Sequence, residues 1–320
     1  MLHCCTPVHD TLPSCHAEQG RSWRNLTIIK SAKCGPTCNP HAVWSSAARK
    51  LVVTFMSHKG IAALSTPDPT GRTGWTSPTS LEPWLGKDWA SKGYPGPGVA
   101  IAIALPNGGE RLLFVAHVGP YLQDVVFFSD DSGATFNVSS STPYVTKDNV
   151  LKGMNEAAFA QLSNCSLLLV MRNFGGKKEP PRFKNGTRPL SHNPLCADNG
   201  ICKAFSRSDD AGAHWSNVDY FGTVRSGSCE AGVLGRNGSL YISVGDSDAP
   251  PNTGRMRMTL HRSRDDGASW HNMALLDPNN SAYSQLVTLK SRPGEIGVLW
   301  EALSPDKWFI GEMRLQWLPS

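Results

Sequence analysis

A chain of 320 residues, 40% hydrophobic and 18% charged with a formal net charge of +5, has the balance of an ordinary globular protein. No apolar run approaches the about eighteen residues that cross a bilayer as a helix, residues 99–105 (VAIAIAL) being among the longest, so no transmembrane segment is expected. The basic balance includes no dense Lys/Arg block interleaved with aromatics, which argues against a nucleic-acid partner and leaves a small anionic ligand open.

In chain order, residues 1–19 hold neither the charged start nor the apolar stretch of a secretion signal and read as unstructured. One domain is expected over residues 20–320. There, short β-type runs alternate with clusters of Gly, Pro, Asn and Asp: residues 50–55, 111–118, 166–172, 239–244, 285–289 and 307–315 are the clearest. Helical stripes are scarce, and 30 Gly and 23 Pro fit a turn-rich chain. With weaker runs between these, the strands exceed what one open sheet holds.

Nine cysteines leave at least one unpaired; the close pairs Cys34/Cys38 and Cys196/Cys202 suit either short-loop disulfides or none. No C-x2-C pair faces a second pair or an H-x3-H, as zinc would require, and no metal or other cofactor is expected. Sequons at Asn25, Asn137, Asn164, Asn185, Asn237 and Asn279 point to a secreted or endomembrane location, with the cytoplasm as the alternative.

A turn of the form S-x-D-x-G-x-x-W/F recurs at Ser129 to Phe136, Ser208 to Trp215 and Ser263 to Trp270, and EQGRSW at 18–23 keeps its Gly and Trp ends. The Asp side chain can accept backbone N–H bonds across a tight turn, Gly supplies a positive φ, and the aromatic packs the turn onto its own sheet. Spacings of 79 and 55 residues exclude a strict solenoid and suit a radial array of four-stranded sheets, a β-propeller. Such a turn speaks of fold and not of reaction.

These turns resemble the Asp boxes of the sialidase (neuraminidase) superfamily. Residues 154–173 (MNEAAFAQLSNCSLLLVMRN) are similar to the family segment with a Glu before a hairpin and an Arg ending the next strand, which implies roles for Glu156 and Arg172. RMRMTLHRSRDDGASW resembles the family's Arg eight residues ahead of an Asp box, pointing to Arg255 rather than Arg257 or Arg262. SAYSQLVTL is similar to the stretch around the family's nucleophile, Tyr283 here, and GVLWEAL to the strand whose Glu, here Glu301, orients an arginine. The resemblance implies an all-β, six-bladed propeller of four-stranded antiparallel sheets with its first blade incomplete. It also implies exo-α-sialidase activity on terminal sialic acid of glycoproteins, gangliosides or oligosaccharides.

The residue types suit that chemistry. Sialic acid carries a carboxylate on its anomeric carbon, which an anionic nucleophile would repel; a neutral phenol avoids this. With an ordinary pKa of about 10 the phenol needs a base within reach, the implied role of Glu156. Arg172 and Arg255 would hold the substrate carboxylate through their planar forks. Taken singly, Arg172 reads as a strand-end ion pair, Tyr283 as a packed aromatic and Glu301 as a buried partner of arginine. The family's R-I-P arginine and the acid/base Asp that follows it have no counterparts ahead of EQGRSW. That departure implies an impaired enzyme. A lectin-like sialic-acid binder and a trans-sialidase are the alternatives.

Overall fold

The computed structural model describes residues 38–87, 93–118, 123–139, 154–173, 202–216, 218–226, 229–246, 255–304 and 310–320. The expectations for residues 1–19, for EQGRSW and for Cys34 and Cys196 fall outside them. Two compact units are formed, one by residues up to 119 with 125–139, the other by 120–124 with 140–320.

In the first unit, β1 (Cys38–Ser45), β2 (Lys50–Ser57), β3 (Gly60–Thr66) and β4 (Thr79–Ser80) make a four-stranded antiparallel sheet in that order. A second sheet runs β5 (Gly93–Pro95), β7 (Glu110–Val118), β8 (Gln123–Ser129), β9 (Asn137–Val138), with β6 (Ile101–Ala104) also on β7. A four-residue helix, α1 (Glu82–Leu85), precedes β5. The run Leu112-Leu113-Phe114-Val115-Ala116 is fully buried on both faces, and Phe114, Phe127, Val52 and Ile61 share one core. That explains why β7 reads as continuously apolar rather than alternating.

The second unit holds β10 (Met154–Gln161), β11 (Leu167–Asn173), β12 (Cys202–Ser208) and β13 (Asp219–Arg225) in one antiparallel sheet. The other is a six-stranded path of β14 (Gly232–Arg236), β15 (Ser239–Gly245), β16 (Met256–Ser263), β17 (His271–Val287), β18 (Glu295–Leu303) and β19 (Ile310–Pro319). Here β17 serves two ladders. Residues 271–280 pair with β16, whereas 281–287 pair with β18. The first half of β17 therefore completes a four-stranded sheet and the second half opens the next.

Each recurring turn joins the third strand of its sheet to the fourth. In the last one Ser263 Oγ donates to Asp265 Oδ1 at 2.7 Å and accepts the Gly267 N–H at 2.8 Å, while Asp265 Oδ1 accepts the Ser269 N–H at 2.8 Å. The same three bonds recur around Asp131 and Asp210. Hydrogen bonds from Ser269 and Ser263 hold the Asp265 carboxyl down at about 2. A staple that the sequence reading missed joins β3 to β4: Asp68 accepts the N–H groups of Thr70, Arg72 and Thr73 at 2.9, 3.1 and 3.0 Å. One extra residue between Asp68 and Gly71 and another between Gly71 and Trp75 break the spacing that marks the other three.

As expected, Phe136 packs on Phe114 and Phe127, and Trp215 on Phe159, each within its own sheet, but two of the turns also touch a strand of another sheet. A Cβ on Gly133 would stand 2.9 Å from Val52 Cγ1 on β2, and one on Gly267 would stand 3.0 Å from Phe221 Cε1 on β13. Trp270 meets Phe221 edge-on at 5.1 Å. Glycine is thus demanded twice, by φ of 88° and 91° and by space. Gly133→Ala is expected to destabilise the fold by about 2–4 kcal/mol, backbone strain plus overpacking. Gly108→Ala, also at positive φ but facing open space, should cost only about 1–2 kcal/mol. Chemical denaturation of the two variants measures the difference.

Candidate active site

Three irregularities in the ladders of the second unit aim side chains to one place. On β10, Asn155 pairs with Arg172 and Ala158 with Val170, so two residues of β10 face one of β11. Glu156 lies in this bulge with φ of 51°. On β17, Ser281 pairs with Ala302 and Ser284 with Trp300, which sets Ala282 and Tyr283 against Glu301 alone. The third lies where β16 begins: Met256 pairs with Asn280 and Met258 with Asp277, with Arg257 at φ of 59°. Arg255 immediately precedes this strand, its carbonyl accepting the Ser281 N–H at 3.1 Å.

The bulges bring the side chains into contact. The Tyr283 hydroxyl donates to Glu156 Oε1 at 2.9 Å. Arg172 Nη1 donates to Glu156 Oε2 at 2.5 Å and to the Tyr283 oxygen at 3.3 Å. The Arg255 guanidinium lies 5.5 Å from the centroid of the Tyr283 ring. Glu301 Oε2 accepts the backbone N–H of Tyr283 at 3.4 Å. Arg257, the rival to Arg255, is exposed, and Arg262 is engaged by Ser239 Oγ at 2.9 Å and by the Tyr241 ring.

Arg172, Glu156 and Glu301 are buried and Tyr283 is partly so. Burial pushes the Tyr283 phenol well above its ordinary value and the adjacent Glu156 carboxylate adds to this, against the opposing pull of Arg172 and Arg255. For Arg172 burial works to lower the pKa, but the charge of Glu156 and its hydrogen bond outweigh this and hold the guanidinium charged. Burial also raises Glu301, the Tyr283 amide opposing it. A phenol this reluctant to ionise needs its proton taken as it reacts, and Glu156 is within hydrogen-bond reach to take it. Two guanidinium groups beside it suit an anionic ligand.

All five residues singled out in the sequence thus gather in this unit. Lys203, Cys229 and Glu230, also close to Glu156 and Arg172, were missed; the sole local signal was a charged residue in CEAG ahead of an apolar strand. Among the described residues, no cluster of three or more His, Cys, Asp or Glu is placed to hold a metal ion.

No protein-family profile matches the chain. A sialidase of Micromonospora viridifaciens is 26% identical over 266 residues, covering 82% of this chain. The chain spans about a third of that relative, 34% of its length. Among solved structures, the Hadza microbial sialidase Hz136 matches 89% of this chain and 56% of its own, with a TM-score of 0.65 and 19% identity. A leech intramolecular trans-sialidase matches 81% of this chain and 36% of its own, with a TM-score of 0.57 and 16% identity.

Proposed function

We propose, from the premise that this chain is a member of the sialidase superfamily, that it acts on terminal sialic acid of glycoproteins, glycolipids or oligosaccharides as a retaining exo-α-sialidase, and that its sheets are blades of a six-bladed propeller. The observation that carries the reaction is the hydrogen bond of 2.9 Å from the Tyr283 hydroxyl to Glu156, with Arg172 bonded to both partners.

Arg172 and Arg255 hold the substrate carboxylate. Tyr283 Oη then attacks the anomeric carbon as the bond to the leaving oxygen breaks, and its proton passes to Glu156 Oε1. Water next attacks the same carbon and releases a proton to solvent, the bond to Tyr283 breaks, and Glu156 returns its proton to the phenolate; solvent supplies the proton taken up by the departed oxygen. Two inversions retain the anomeric configuration. The neutral nucleophile spares the substrate carboxylate a like-charge encounter.

In this reaction the leaving oxygen is protonated by solvent, since none of the five residues matches the family's acid/base Asp. Loss of such an acid slows the reaction by about 10²–10⁴-fold. An aryl sialoside, whose leaving group departs without a proton, should therefore turn over at least about 10²-fold faster than sialyllactose. Cleavage of neither substrate together with retained sialic acid binding would mean a lectin. Sialic acid appearing on an added galactoside would mean a transferase.

A further inference from the structure

Tyr283 lies in a bulge, and the hydrogen bonds of a ladder do not by themselves fix where a bulge sits, because moving it along the strand exchanges one backbone pair for another. A side-chain clamp does fix it. Asp277, 1% exposed, lies near the end of the β17 pairing with β16, opposite Met258. Its Oδ2 accepts the indole N–H of Trp300 on β18 at 3.3 Å and an Nη1–H of Arg314 on β19 at 2.7 Å, and its Oδ1 accepts the N–H of Asn279 at 2.9 Å. Trp300, itself buried, is the ladder partner of Ser284 on one side and of Arg314 on the other. The stretch from Asp277 to Ser284 is thus pinned at both ends to one residue: by the Asp277 side chain to the Trp300 indole, and by the Ser284 backbone to the Trp300 backbone. Tyr283 immediately precedes Ser284, and Glu301, whose carboxylate accepts the Tyr283 N–H at 3.4 Å, immediately follows Trp300.

We propose that Asp277 is a positioning residue for Tyr283: by holding Trp300 and Arg314 it sets the register of β17 against β18, and so keeps the phenol against Glu156. This rests on Tyr283 being the reacting group of a sialidase. A slip of one position would carry the tyrosine side chain to the opposite face of its strand and take it from its base. Asp277 and Trp300 are buried, so water cannot replace a lost partner unless the strands part. Alanine at position 277 removes all three bonds. Asparagine, with one oxygen in place of two, can still accept from Trp300 and Arg314 and gives up only the bond from Asn279, so it separates the link between strands from the local turn.

The test combines turnover of an aryl sialoside with amide hydrogen exchange at Tyr283, both on the full chain and well below its unfolding transition. In Asp277→Ala kcat should fall by about 10²-fold, the scale on which a misplaced reacting group acts, with KM changing by less than about threefold and Asp277→Asn regaining most of the loss. The Tyr283 amide should exchange at least about tenfold faster in Asp277→Ala than in the wild type. A carboxylate that only stabilises the fold would leave kcat of the folded protein untouched. Unchanged exchange at Tyr283 in Asp277→Ala, a kcat within about threefold of the wild type, or an asparagine variant as slow as the alanine one overturns the proposal. Should Asp277→Ala fail to fold, Trp300→Phe, which keeps a ring and removes the indole N–H, decides by the same two readings. An inactive wild-type chain would overturn the hydrolase reading alone, because exchange at Tyr283 still judges the positioning role.

Discussion

Replacing Tyr283 with Phe is expected to lower kcat for an aryl sialoside by about 10³-fold or more, the scale on which loss of a nucleophile acts, while sialic acid binding changes by less than about threefold. The substitution removes one oxygen, the atom 2.9 Å from Glu156 and 3.3 Å from Arg172. The ring and its contact with Arg255 stay, and Glu156 keeps Arg172 as its partner. Stability should fall only by the net worth of one hydrogen bond, about 1 kcal/mol. Steady-state kinetics read the first effect, calorimetry with sialic acid the second. A tyrosine that merely packs would leave kcat untouched.

Arg172→Met should have the largest effect on stability, a loss of about 3–5 kcal/mol, because it strands a buried carboxylate. Arg172 is 3% exposed and Glu156 is 9% exposed, with 2.5 Å between their charged atoms. Methionine fills much of the volume but leaves Glu156 without its counterion. Glu156 must then be protonated or the site must open. Sialic acid affinity should fall as well, by about 10-fold or more for a lost charge-assisted bond. Denaturant unfolding separates the two consequences, since Arg172→Met with Glu156→Gln should regain part of the stability and none of the affinity.

How far the sequence foretold this arrangement depends on what each feature leaves in one dimension. The turns at Asp131, Asp210 and Asp265 were legible because every side chain in them has a fixed mechanical duty and a fixed offset. The equivalent turn at Asp68 was not, because two extra residues displace the offsets while the carboxylate still accepts backbone N–H bonds. Apolar runs located β2, β7, β11 and β15 to within about two residues, since these strands are buried on both faces. Glu156, Arg172, Arg255, Tyr283 and Glu301 came from resemblance to a family, and the structure gathers them. The bulges that aim Glu156 and Tyr283 have no residue signature of their own. They arise from pairing between strands. The double membership of β17 was equally hidden, since a seventeen-residue strand reads as a short run with a weak one ahead of it.

That shared strand ties chemistry to mechanical integrity. Tyr283 sits three residues past the point where β17 leaves its pairing with β16 for its pairing with β18. Fraying of either ladder would therefore release the phenol from Glu156, and on the proposed mechanism loss of turnover on heating should precede global unfolding, making Tyr283 a reporter on two sheets at once.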